Sequence, residues 1–242
     1  PEEFARREVV DWKQIMLHEG RARLLEGEHL GIVVGGPPRS GKSSVVASLV
    51  AAMEDLIKSL QSRRGWEGFS LKVQYVNVDL GTPTVESILT RHGKDESAHK
   101  QLKQSWTEAL ALRAMEEFSR AKQSANIVIA DLPGIITGIT EVVAVLGDCG
   151  VVVTNDWAKT TEWRDFFRRL GTTQVAQAMS RKPEEGLPSV VTTYKREKFL
   201  SGRIVGLDRT VRSWDPFVEC LARVLLFDLL PTFIERRKGT AC

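Results

Sequence analysis

One short stretch constrains the fold of this chain more than any other. Positions 35–44 read Gly-Gly-Pro-Pro-Arg-Ser-Gly-Lys-Ser-Ser and satisfy the pattern G-x-x-x-x-G-K-[ST] from Gly36 to Ser43. Residues 30–34 before it are almost all apolar and predict a buried strand, and residues 45–60 after it predict a helix. A loop between a strand and a helix N-terminus presents backbone N–H groups to an anion, and the helix dipole favours negative charge there. We therefore predict a phosphate-binding loop.

Two side chains of this loop predict a bound nucleotide with its metal ion. Lys42 supplies a positive charge for the β- and γ-phosphates, and the Ser43 hydroxyl is a suitable ligand for Mg²⁺. Arg39 is a further candidate for neutralising phosphate charge, although the pattern assigns it no definite role. We expect ATP to contact Gly36, Pro38, Arg39, Ser40, Gly41, Lys42, Ser43 and Ser44. The alternative is a loop that keeps the pattern but no longer binds a nucleotide.

Two aspartates at the ends of predicted strands extend the candidate site. Residues 126–131 predict a buried apolar strand that ends at Asp131, the arrangement in which a carboxylate holds Mg²⁺ beside the loop hydroxyl. Residues 71–78 predict another strand, after which Asp79 begins a loop on the ligand side of the sheet. We predict that Asp79 accepts a proton from water or from an acceptor hydroxyl, and that Lys42, Asp79 and Asp131 are catalytic. A helix cap at Asp131 and a turn at Asp79 are the structural alternatives.

Strands and helices alternate along most of the chain. This alternation predicts an α/β fold, with a doubly wound and mainly parallel sheet of the P-loop NTPase type and helices on both faces. Apolar residues recur at helical spacing over residues 2–25. We therefore divide the chain into a helical extension at 1–28 and a P-loop NTPase domain at 29–242.

Three local expectations concern the second half of the chain. A helix capped by Thr160 or Thr161 is expected to bury its aromatic residues in the core. A closing helix over residues 217–237 is expected to bend near Pro231, because proline lacks an N–H and its ring obstructs the preceding turn. Gly134 is expected to let the backbone approach a γ-phosphate closely.

Composition narrows the class of protein. The chain has 242 residues, 42% of them hydrophobic and 27% charged, which is ordinary for a globular chain large enough to bury a core. Three cysteines without a C-x-x-C spacing favour a reducing compartment over a disulfide framework or a zinc site. No apolar run reaches the length of a membrane span, so we expect a cytoplasmic protein without a membrane partner. The net charge of +3 neither requires nor excludes nucleic acid as a partner.

Three segments carry a resemblance to a known class of enzyme. They are Asp131-Leu132-Pro133-Gly134, residues 147–154, and Asp79-Leu80-Gly81. These segments resemble the partition-type and division-site ATPases of the P-loop class, and the resemblance implies a nucleotide-switch role for Asp79. Those ATPases carry a signature lysine early in the loop that reaches across a dimer. The matching position here is Pro37, which argues against dimer-activated hydrolysis of that type.

A second set of short segments occurs along the chain in the same order as in another protein family. They are the loop at 36–44, Glu162-Trp163-Arg164-Asp165-Phe166, Val175-Ala176, and residues 202–209. Together they resemble the P-loop module fused to, or encoded with, a ring-nuclease family of type III CRISPR systems, whereas residues 45–124 do not match it. The resemblance implies ATP binding and a setting in prokaryotic antiviral defence. Residues 79–83 also resemble the strand-two loop of polynucleotide 5′-hydroxyl kinases.

Three functions therefore remain open from the sequence. The first is a Mg²⁺-dependent ATPase with a regulatory role tied to CRISPR-type defence. The second is a kinase that transfers a phosphoryl group to a nucleotide or polynucleotide hydroxyl. The third is a non-catalytic interaction module that a nucleotide stabilises. A nucleotide is the partner in all three, and nucleic acid, further copies of the chain or a CRISPR-related protein are partners in some of them.

Overall fold

A computed structural model of the chain describes residues 29–63, 70–78, 108–194, 199–206 and 215–232. The strands are β1 (Leu30–Gly35), β2 (Val73–Asn77), β3 (Ile127–Asp131), β4 (Cys149–Thr154), β5 (Thr173–Arg181), β6 (Val190–Tyr194) and β7 (Phe199–Val205). They form one seven-stranded sheet in the order β2-β3-β1-β4-β5-β7-β6. Every neighbouring pair is parallel except β6 and β7, which are antiparallel. The mainly parallel sheet predicted from the alternation of elements is confirmed.

Helices cover both faces of the sheet. They are α1 (Lys42–Gln61), α2 (Glu108–Ser124), α3 (Gly138–Ala144), α4 (Trp157–Arg169) and α5 (Pro216–Arg223), and α5 continues into a π-helical segment, Val224–Leu229. Leu30, Ile32 and Val34 of β1 pack in one cluster with α1 and α5, whereas Val33 packs in a second cluster with α2, α3 and α4. Successive side chains of a strand point to opposite faces, so these clusters are the two covered faces. This confirms the predicted fold class.

Helix α4 begins earlier than the sequence predicted. Its cap is Asp156, whose carboxylate accepts a hydrogen bond from the Ala158 amide at 2.9 Å. The prediction of Thr160 or Thr161 as the cap is therefore wrong. The Thr160 hydroxyl instead donates to the Asp156 carbonyl oxygen at 3.0 Å. Three aromatic residues of α4 are buried as predicted, namely Trp163, Phe166 and Phe167, whereas Trp157 at its start is exposed.

Two elements of the second half end or change at a glycine or proline. Strand β7 ends at Val205, after which Gly206 turns the chain with φ 66°. The closing helix departs from regular geometry in its π-helical segment, which ends two residues before Pro231, a residue whose missing N–H and ring disfavour regular pairing. The 3₁₀ turn Pro183–Glu185 lies between β5 and β6.

Several expectations fall outside the described ranges. They concern the extension at 1–28, the loop that begins at Asp79, and the chain as far as residue 107. In the part of the chain that the structure describes, no helix is long and apolar enough to cross a membrane.

Candidate nucleotide-binding site

The loop after β1 turns in a way that requires glycine. Gly36 has φ 151°, and a Cβ there would lie 1.8 Å from the carbonyl oxygen of Val153 on β4. Gly41 has φ 85° and stands directly before α1, where no side chain caps the helix. The loop is therefore seated tightly on β4, and no side chain of the described residues occupies the N-terminus of α1 as a cap. This arrangement suits an anion.

Two polar side chains are buried in the loop. The Lys42 ammonium donates to the carbonyl oxygen of Pro37 at 3.0 Å, and only 8% of Lys42 is exposed. Ser40 is 1% exposed, and its hydroxyl has no hydrogen-bond partner within the described ranges. Burying the Ser40 hydroxyl without an acceptor costs free energy, and an anion beside Lys42 would gain from its positive charge. Phosphate oxygens are acceptors of the required charge, so this loop fits a phosphate group.

Ser43 and Asp131 meet at the boundary between the loop and β3. The Ser43 hydroxyl donates a hydrogen bond to Oδ2 of Asp131, which is 4% exposed. Asp131 is the last residue of β3 and is paired with Val34 of β1. The Leu132 amide donates to the Val34 carbonyl oxygen at 3.0 Å, so the chain after Asp131 remains against β1. Strand pairing therefore sets the position of the carboxylate beside the loop.

These two oxygen-bearing side chains fit a magnesium ion. Mg²⁺ prefers oxygen ligands and is usually bound by one or two protein groups together with phosphate oxygens and water. Within the described ranges, no group of three or more His, Cys, Asp or Glu side chains forms a metal site. A site at Ser43 and Asp131 does not need such a group, because the phosphates and water would complete the coordination.

The chain after Asp131 also packs directly on the phosphate loop. A Cβ on Gly134 would lie 2.7 Å from the Pro38 nitrogen and 2.9 Å from the Pro38 Cα. The sequence predicted a close approach of Gly134 to a γ-phosphate, and the close approach that the structure describes is to Pro38. A shift in the position of either loop would therefore displace the other.

Strand β5 borders the other side of the loop. The Ser180 hydroxyl lies 3.2 Å from the position that a Cβ on Gly41 would occupy. Ser180 belongs to no sequence motif. Only its place near the carboxyl end of a parallel strand could have pointed to it.

The structure brings most of the predicted site residues together, and their binding roles stay predictions. Ser44 is buried in the first turn of α1, whereas Pro38 and Arg39 are exposed. Arg39 has φ 60°, a left-handed conformation that is uncommon for a residue other than glycine. Asp79 lies outside the described residues, so its predicted role as a proton acceptor also stays a prediction.

Comparison with solved structures finds similar architectures at low sequence identity. The septum site-determining protein MinD from Pyrococcus horikoshii OT3, solved with Mg-ADP, gives a TM-score of 0.44 and 15% identity over 64% of this chain and 70% of that one. A ParA family ATPase from Chlorobium tepidum TLS gives a TM-score of 0.43 and 11% identity, over 86% and 97% of the two chains. A LAO/AO transport system kinase gives a TM-score of 0.44 and 14% identity, over 99% of this chain and 80% of that one.

This likeness concerns the fold and not the activity. No family model and no curated protein matches the chain. The resemblance to a CRISPR-associated module stays an expectation from the sequence.

Proposed function

We propose that this chain binds ATP together with Mg²⁺ and hydrolyses the ATP. The observation that carries the proposal is the hydrogen bond between Ser43 and Asp131, formed beside a glycine-shaped loop in which Lys42 is buried. Thr137 caps the helix that follows β3, and the Asp131 carboxylate accepts from a side chain of the phosphate loop, which supports a role at that loop. A hydroxyl and a carboxylate beside that loop are the protein ligands that a phosphate-bound Mg²⁺ uses.

Each residue has a separate task in this proposal. The backbone N–H groups of the loop and the Lys42 ammonium bind the β- and γ-phosphates and neutralise the charge that develops during cleavage. Ser43 and Asp131 would hold Mg²⁺, which when bound neutralises further phosphate charge. Asp79 accepts a proton from the attacking water. A bond forms between the water oxygen and the γ-phosphorus, the bond to the bridging oxygen breaks, and ADP and phosphate leave.

Transfer to a hydroxyl is the alternative that the sequence favours next. It rests on the resemblance of residues 79–83 to the strand-two loop of polynucleotide kinases. In that reaction Asp79 would accept the proton of the acceptor hydroxyl in place of a water proton. A regulatory role in CRISPR-type defence, a cytoplasmic location, and association with nucleic acid, with a CRISPR-related protein or with further copies of the chain are finer proposals that rest on the sequence alone.

One experiment separates hydrolysis, transfer and binding without turnover. The protein is incubated with Mg²⁺ and γ-labelled ATP, with and without RNA and DNA oligonucleotides that carry a 5′-hydroxyl. Free labelled phosphate in both samples supports the proposal. Label on the oligonucleotide supports a kinase instead, and ATP binding without release of label supports a non-catalytic module.

Two variants with a matched control test the assigned residues. Lys42→Ala should abolish turnover, whereas Lys58→Ala, at the far end of the same helix, should leave it unchanged. Asp131→Asn should remove the dependence of the rate on Mg²⁺. Turnover of ATP by Lys42→Ala would overturn the proposal as stated, and an unchanged Mg²⁺ dependence in Asp131→Asn would remove Asp131 from the metal site.

A further inference from the structure

Trp157 is the most exposed large hydrophobic side chain in the part of the chain that the structure describes, at 64%. It is the first residue of α4, yet the ring contacts of that helix join Trp163, Phe166 and Phe167. Core packing therefore does not account for Trp157. Tryptophan is enriched at interfaces because its large apolar face also carries a polar N–H, so the position of Trp157 in the fold decides what it could contact.

Two contacts place the start of α4 beside the phosphate loop. Gly36 abuts the carbonyl oxygen of Val153, so β4 leaves the sheet next to the loop only a few residues before Trp157. A Cβ on Gly35 would lie 2.5 Å from the ring of Trp163, so α4 also crosses the end of β1. Trp157 precedes Trp163 by six residues, which places it about 9 Å further along the helix axis and about 120° round it, since a helix rises about 1.5 Å and turns about 100° per residue. The start of α4, and Trp157 with it, therefore lies beyond Gly35 at the carboxyl edge of the sheet.

The turn that carries Trp157 is rigid. The Asp156 carboxylate caps the helix through the Ala158 amide at 2.9 Å. The hydroxyls of Thr154 and Thr160 are hydrogen-bonded to each other, and these residues are 0% and 7% exposed. An aromatic side chain on a fixed turn loses little conformational freedom when a ligand binds, which is what a stacking platform requires.

The two sides of the phosphate loop carry different residues. Asp131 and Ser43 lie on the β3 flank, where the terminal phosphates and the metal would sit. Strands β4 and β5 lie on the other side of β1, where Ser180 borders Gly41 and Trp157 is exposed. The β4 and β5 flank is therefore the one left for the nucleoside.

We propose that Trp157 stacks on the base of the nucleotide that the phosphate loop binds. This assignment rests on the proposed function, because it requires a nucleotide in the loop. The flat indole face suits a purine or a pyrimidine, and aromatic–base stacking is tolerant of base identity since every base has a π-face. Trp157 thus supplies affinity for a nucleoside, whereas the loop supplies affinity for its phosphates.

Calorimetric titration with two ligands tests this division. ATP carries a base, and inorganic tripolyphosphate offers the same chain of three phosphates without one. Trp157→Ala should weaken ATP binding about 5- to 100-fold, the effect of removing one stacked aromatic, and should leave tripolyphosphate binding unchanged. Trp157→Phe should recover most of the loss for ATP. Val145→Ala, which trims another exposed apolar residue (55%), should change neither ligand.

The other possible results would each contradict the proposal, and each would do so for a different reason. Unchanged ATP affinity in Trp157→Ala would exclude stacking and leave the proposed function intact. An equal loss for ATP and tripolyphosphate would mean that Trp157 acts on the loop and not on the base. If Trp157→Ala weakened binding of a 5′-hydroxyl oligonucleotide but not of ATP, the stacked base would belong to an acceptor. Failure of the unmodified protein to bind either ligand would overturn the proposed function and this inference together.

Discussion

Replacing Gly134 by alanine should displace the phosphate loop. The added methyl would lie 2.7 Å from the Pro38 nitrogen, whereas ordinary contact begins at 3.4 Å. The two loops must therefore separate by about 0.7 Å, and overpacking of this kind typically costs about 1–3 kcal/mol. Two of the nearest atoms are Pro38 backbone atoms, so no flexible side chain can rotate away. Gly134 is not among the residues with positive φ, so the effect is steric and not a matter of backbone conformation.

The same displacement should weaken nucleotide binding. A displaced loop loses hydrogen bonds to the charged phosphates, and each such bond contributes about 1.5 kcal/mol or more, so we expect ATP affinity to fall about tenfold or more. Gly138→Ala is the matched control, because a Cβ there meets nothing within 4 Å. Urea unfolding and calorimetric titration with ATP measure the two effects. The reasoning is refuted if Gly134→Ala matches the unmodified protein in both, or if Gly138→Ala is equally damaging.

Two further predictions concern stability at the amino edge of the sheet. The Asp148 carboxylate accepts from the Gly31 amide at 2.6 Å and pairs with Lys122 at 3.4 Å, so Asp148→Ala should lower the free energy of unfolding in urea by about 2 kcal/mol. Arg113→Ala, which breaks an exposed pair within α2, should cost less than about 0.5 kcal/mol, and equal losses would contradict this difference. Burial, reinforced by Asp148, raises the pKa of the Cys149 thiol above its ordinary value. Because the folded pKa is the higher one, the stability linked to this thiol is complete below the unfolded pKa of about 8.5 and is lost as the pH rises above it. Between pH 8 and 10 the free energy of unfolding should fall by about 2 kcal/mol more in the unmodified protein than in Cys149→Ala, and parallel pH profiles would contradict this.

The strands of the sheet and the pair of Ser43 with Asp131 could be predicted because short segments of the sequence indicate them. Continuous apolar runs such as residues 126–131 indicate strands buried on both faces, and the structure has these strands at the middle of a parallel sheet. The pairing of Ser43 with Asp131 then follows from topology, since the carboxyl ends of adjacent parallel strands meet at one edge. No detailed knowledge of side-chain packing was needed for either step.

The features that the sequence did not reveal depend on contacts between distant residues. Asp156 and Thr160 are both acceptable helix caps, and in the structure the Thr160 hydroxyl is hydrogen-bonded to Thr154 at the buried end of β4 while Asp156 caps the helix. The seating of the phosphate loop depends on contacts much further apart in the chain, with Gly36 against Val153 and Gly134 against Pro38. A pattern of apolar residues along the chain does not contain this information.

The loop pattern alone does not determine the conformation of Arg39. The pattern admits any residue at this position, and the sequence assigned it no definite role. The structure gives it φ 60°, a left-handed conformation that costs a residue with a side chain about 1–2 kcal/mol. The loop backbone on both sides is fixed by distant contacts, with Gly36 against Val153 and Gly134 against Pro38. Arg39 therefore lies in a segment whose two neighbours in the loop pack against β4 and the loop after β3, and it is the exposed cation of a loop whose other cation, Lys42, is buried.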